Sequence, residues 1–110
     1  MRRLFLSLLF VGCFIVFTDG SNLSDASGTL TTGATSQQLL PAATVPRTFF
    51  FFQNISAGTM WLGFGATAVQ NQPSVQVLAG AIFRMDNVVS DDVINVIGVT
   101  TADKFVCKYR

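Results

Sequence analysis

The sequence predicts an all-β protein: a small antiparallel β-sandwich or barrel of 6–8 short strands, preceded by an apolar N-terminal segment and a flexible linker. Three observations predict it. Segments rich in aromatic and β-branched residues recur at spacings of about 8–14 residues. Clusters of Gly, Pro, Asn, Asp and Ser separate them. No helical period follows Phe17. The chain divides into residues 1–20, apolar; 21–46, a Ser/Thr/Gly/Ala-rich linker with short edge strands; and 47–110, the β module.

The opening MRRLFLSLLFVGCFIVF combines two bases with an apolar run from Leu4 to Phe17. A membrane-spanning helix needs about 20 such residues. A secretory signal needs roughly 7–15. The segment therefore reads as a signal cleaved before Ser21. A lipoprotein signal at Gly12-Cys13, a retained arm and a misplaced start upstream of Leu23 or Leu30 are the competing readings.

Residues 21–28 read as flexible. Thr29–Thr32 and Gln37–Leu40 are expected as short edge strands, and Pro41 and Pro46 bracket a loop because proline cannot donate to a central ladder. Thr48–Ile55 (TFFFFQNI) has strand composition but does not alternate. Both of its faces should be covered, one by the core and the other by a second layer or a partner. Ser56-Ala57-Gly58 reads as a hairpin loop into Thr59–Gly65, where Met60, Leu62 and Phe64 share a face opposite Trp61 and Gly63.

Ala66–Pro73 is a loop. Ser74–Leu78 alternates, and Ala79-Gly80 turns the chain into Ala81–Met85. Val93–Thr100 is apolar on both faces. Thr101-Ala102-Asp103 turns into Lys104–Tyr109, in which Phe105, Cys107 and Tyr109 face away from Lys104, Val106 and Lys108. Lysines on its outer face suit an edge strand.

Composition narrows the function classes. Seven Lys/Arg against six Asp leave a net charge of +1, so no basic excess exists to neutralise phosphates and no nucleic-acid partner is expected. With neither His nor Glu, the chain lacks Ser-His-Asp and Cys-His machinery. Asp91-Asp92 is the one carboxylate pair, and neighbours on an extended chain point apart. No spaced Asp loop suits calcium. Gly63, Gly65 and Gly80 form no phosphate-binding loop. No catalytic, cofactor or metal residues are assigned. Cys13 lies in the leader, so Cys107 is expected as a small buried hydrophobe without a disulfide partner. Asn22-Leu23-Ser24 and Asn54-Ile55-Ser56 match the glycosylation sequon. The expected anchors of core or interface are Phe50, Phe52, Trp61, Phe64 and Phe83, since aromatics dominate both.

Three segments carry a family resemblance: SGTLTTGATSQQLL at 27–40, RTFFFFQNISAGTMWLGFGATAVQNQPSVQVLAG at 47–80 and VINVIGVTTADKFVCKYR at 93–110. Together they resemble small β-rich structural proteins of tailed bacteriophages and prophages. The matching positions are Gly28-Thr29 through Gln37, Gln53-Asn54-Ile55-Ser56, Trp61, Ser74-Val75 with Gly80, and Ile97-Gly98 to Lys108. Ala102 stands where that pattern has glycine, and the apolar leader has no counterpart in it. The resemblance implies a non-enzymatic virion component, a decoration, head-fibre or tail-associated protein. Its partners would be further copies of itself, with a trimer among the options, and a capsid or tail protein. The leader supports the alternative of an exported bacterial β-domain, a periplasmic or surface binding module that meets the membrane only during export.

Overall fold

The computed structural model describes residues 23–110; the leader and Asn22 of the first sequon lie outside them. Nine strands form, with no helix among the described residues: β1 (Ser24–Asp25), β2 (Gly28–Thr29), β3 (Gln37–Leu40), β4 (Phe49–Asn54), β5 (Met60–Phe64), β6 (Val75–Val77), β7 (Ile82–Asp86), β8 (Ile94–Gly98) and β9 (Lys104–Tyr109). They build two antiparallel sheets. The first has the order β1-β9-β4-β7, with β2 also paired to β9. The second has the order β3-β8-β5-β6. The all-β class and the layered antiparallel architecture are those expected from the sequence. The strand number is higher because the stretch read as flexible contributes the dipeptide β1, and the edge strand expected at Thr29–Thr32 is the dipeptide β2, Gly28–Thr29.

Two expectations are corrected. Ser56-Ala57-Gly58 does not close a hairpin, because β4 belongs to the first sheet and β5 to the second. The connection is an arch, and the side chain of Asn54 organises it. The turns at Ala79-Gly80 and Thr101-Ala102-Asp103 likewise carry the chain from the second sheet to the first. Among the described residues, only β5 and β6 are both consecutive and paired. Second, β9 is not an edge: β4 pairs on one side of it, β1 and β2 on the other. Its lysines lie on a sheet surface and do not guard an edge.

The core lies between the sheets. Phe50 and Phe52 from β4 and Phe105 and Cys107 from β9 meet Leu40, Met60, Leu62, Val77, Ile94 and Val96 from the second sheet. Burial along β4 alternates strictly, with Phe50, Phe52 and Asn54 inside and Phe49, Phe51 and Gln53 half-buried on the outer side. Phe52 stacks on Phe105 with centroids 5.4 Å apart. Phe50 meets Phe64 edge-on at 6.2 Å and Phe83 at 6.3 Å.

Leu30 enters the core from the connection after β2, opposite Gly98. A Cβ on Gly98 would collide with the Leu30 side chain, so glycine there makes the room. On the outer side of the second sheet the segment after β5 lies close to Gly63. A Cβ there would stand 2.8 Å from the Ala66 carbonyl oxygen. Asn95 donates from Nδ2 to that same carbonyl at 2.7 Å, and Gln70 donates from Nε2 to Gly98 O at 3.0 Å. This cover buries Ala68 and Ile97 on a face that would otherwise be wet.

Candidate functional site

The outer face of the first sheet concentrates exposed chemistry. Cross-strand register sets its rows. Phe51 lies between Arg84 of β7 and Lys108 of β9. Phe49 lies between Asp86 and Arg110, exchanging backbone hydrogen bonds with Arg110 at 3.2 and 3.0 Å. Gln53 lies between Ile82 and Val106. The result is an aromatic and aliphatic centre bordered by charges. Of the five Lys/Arg among the described residues, four (Arg84, Lys104, Lys108, Arg110) belong to this sheet face, and the fifth, Arg47, is buried.

Two ion pairs order the border. Arg84 meets Asp86 at 2.8 Å, and its guanidinium lies 5.9 Å from the Phe49 ring centroid. Lys108 meets Asp25 at 3.1 Å. The Ser27 hydroxyl, followed by Lys108, holds the Asp25 carboxyl below its ordinary range. Both pairs are well exposed, so they orient side chains more than they stabilise the fold. Among the described residues no strand packs across this face.

The expected anchors separate into three positions. Phe50 and Phe52 are fully buried in the core. Phe64 and Phe83 are half-buried against it, 5.8 Å apart, at the rim where the two sheets meet. Trp61 is half-buried on the outer side of the second sheet, in register with Gln76 and Ile97. Phe49 and Phe51, the aromatic pair on the open face, were not singled out. The unbroken FFFF run was their signal, but without the strand's phase it did not say which pair faces outward.

Two polar residues missed from the sequence are structural. Arg47 is buried, and its guanidinium donates from Nη1 to Ser90 O at 2.8 Å and to Asp92 O at 2.9 Å, and from Nη2 to Pro41 O. Its backbone N–H donates to Asp91 Oδ1 at 2.9 Å. The Asp91-Asp92 segment is thereby tied to the β3–β4 connection, which gives it a structural duty. A cleft of about 310 Å³ opens beside it, lined by residues 40–47, Tyr109 and Arg110. Asn54 is fully buried, and both donors of its amide are engaged, so its sequon is closed to modification in the folded chain.

Cys107 is buried in the core, and burial pushes its thiol up to about 12. Among the described residues no three metal-ligating side chains converge, and no helix is long and apolar enough to cross a membrane. No family model matches the chain, no curated protein matches it, and no solved structure matches it.

Proposed function

We propose that the chain is a non-enzymatic assembly module that docks through the outer face of the first sheet. One observation carries this reading: Phe49 and Phe51 sit on a sheet surface that no strand of the described residues covers, in rows with Arg84, Lys108 and Arg110. Two phenylalanines on the solvent side of a central strand are an aggregation liability unless a partner covers them. Aromatics and arginine are also the residues enriched at protein-binding surfaces.

Within that class, the segments at 27–40, 47–80 and 93–110 favour a virion structural protein of a tailed bacteriophage, bound to capsid or tail as an oligomer. The basic-apolar leader favours an exported bacterial binding module instead. The N-terminal peptide of the protein in its natural setting separates the two. A start at Ser21 in the periplasm supports export. A start at Met1 or near Leu23 in purified particles supports the virion reading.

The docking face is tested with Phe51→Glu. Since Phe51 is outside the core, circular dichroism should show an unchanged fold, while occupancy on the particle or partner should be lost. Full occupancy by a folded Phe51→Glu chain would sink the proposal.

A further inference from the structure

The free edges of the two sheets are not alike. The β1/β2 edge consists of two dipeptides, interrupted where the Ser27 hydroxyl takes the Cys107 N–H at 2.9 Å. The β3 edge carries a register shift between Gln38 and Leu40. The β6 edge is three residues long and begins just after Pro73. Short strands, bulges, proline and charged side chains are the devices that blunt an edge against further pairing. β7 has only the last, the opposite charges of Arg84 and Asp86. It runs five residues, Ile-Phe-Arg-Met-Asp, in unbroken register with β4.

The phase of that ladder shows which groups point outward. Asn54 N–H donates to Ala81 O at 3.0 Å. Antiparallel alternation then makes Phe52·Phe83 and Phe50·Met85 the hydrogen-bonded pairs. The N–H groups of Ile82, Arg84 and Asp86, and the carbonyls of Ile82 and Arg84, are directed away from β4. The Asp86 carbonyl already takes the Val88 N–H at 2.7 Å.

We propose that β7 pairs antiparallel with β7 of a second copy about a two-fold axis through Met85, joining the two first sheets into one continuous sheet. The charge order of the strand favours this occupant. In that register Arg84 of each copy stands opposite Asp86 of the other, so the exposed Arg84–Asp86 pair of one chain becomes half of a four-membered ring of alternating sign. A two-fold axis through Arg84 would instead oppose two guanidinium groups. On the other surface of the strand, Met85 meets Met85, with the half-buried Phe83 alongside. No net charge opposes the approach: Arg47, Arg84, Lys104, Lys108 and Arg110 balance Asp25, Asp86, Asp91, Asp92 and Asp103 among the described residues. Isologous two-fold contacts are the commonest route to a homo-oligomer. The pairing stands independently of the docking face, and it would set the Phe49/Phe51 surfaces of two copies side by side.

Sedimentation velocity of the full chain over a range of concentrations tests the pairing, together with amide hydrogen exchange. A dimer is expected, with protection of the Asp86 N–H, facing the Arg84 carbonyl of the second copy, that grows with the dimer fraction. Arg84→Asp places like charges opposite each other and should weaken the dimer by about tenfold or more. Adding Asp86→Arg restores the alternation and should restore the dimer. A chain that stays monomeric, or that pairs only with a strand of a different protein, overturns the proposal. So does a dimer indifferent to the charge exchange, or one in which the Asp86 N–H exchanges freely. If Arg84→Asp fails to fold, the exchange measurement on the unaltered chain decides alone.

Discussion

The side-chain amide of Asn54, at the end of β4, donates to the Val77 carbonyl of the opposite sheet at 2.9 Å. Its second donor takes the Gly58 carbonyl at 2.7 Å, and its Oδ1 accepts the N–H and hydroxyl of Ser56 at 3.0 and 2.7 Å. The Asn54 backbone carbonyl accepts Gly80 N–H at 2.8 Å. One residue thus ties together two arches, β4 to β5 and β6 to β7.

Replacing Asn54 by Ala should leave buried carbonyls without donors and cost about 2–4 kcal/mol of folding stability. Asn54→Asp keeps the shape but sets a carboxylate against two carbonyls, and should cost at least as much. Chemical denaturation checks both. A loss below about 1 kcal/mol for Asn54→Ala would show that the arches hold without it.

Ala102 occupies the third position of the turn Thr100–Asp103 with φ of 72°, in the left-handed region. A positive φ at that position, with Thr101 absent from the positive-φ residues, defines a turn that favours glycine. Ala102→Gly should therefore stabilise the fold by about 0.5–1 kcal/mol, relief of the side-chain clash outweighing the added freedom of the unfolded chain. A lowered melting temperature would contradict this account. The sequence pattern that the chain resembles has glycine at this position.

Cys107 should resist thiol reagents at pH 8 until the sandwich opens. With its thiol held near 12, the reactive thiolate is scarcer than in a free cysteine by roughly a thousandfold. The pH dependence follows from linkage. The folded value lies above the ordinary 9.0, so between about 9 and 12 the unfolded chain releases a proton that the folded chain keeps. Stability should fall as pH rises through that window, and Cys107→Val should fall less steeply over it. Identical alkaline profiles for the two chains would argue against a buried, protonated thiol. Rapid labelling of the native protein would argue the same.

Much of the fold is legible in the sequence. Every strand from β3 onward lies in a segment whose composition announced it, and Phe105 and Cys107 are buried as their alternation required. The joining of strands was harder to see. Ser56-Ala57-Gly58 has hairpin chemistry, yet it bridges two sheets, because the partner of a strand depends on contacts far along the chain. β4 ends up beside β9, more than 50 positions later. The same limit applied to Lys104 and Lys108, whose exposure suited an edge as well as the surface of an internal strand.

The docking surface was half visible. The FFFF run required cover on both faces, and only the register of β4 with β7 and β9 showed that Phe49 and Phe51 share theirs with Arg84, Lys108 and Arg110. Arg47 and Asn54 were illegible as buried residues, since polar side chains lie mostly outside and the carbonyls that satisfy them come from distant segments.

The sequence by itself determined the class of the molecule: an all-β chain with nearly balanced charge, without His or Glu, and with more two-faced apolar strand than is common in so short a module. Local propensity and composition suffice for that, because they act within a few residues. Tertiary structure alone decided which strands pair, which aromatics face outward and which sheet edge runs unbroken. Those outcomes depend on long-range register, and a shift of one residue would exchange the two faces of a strand.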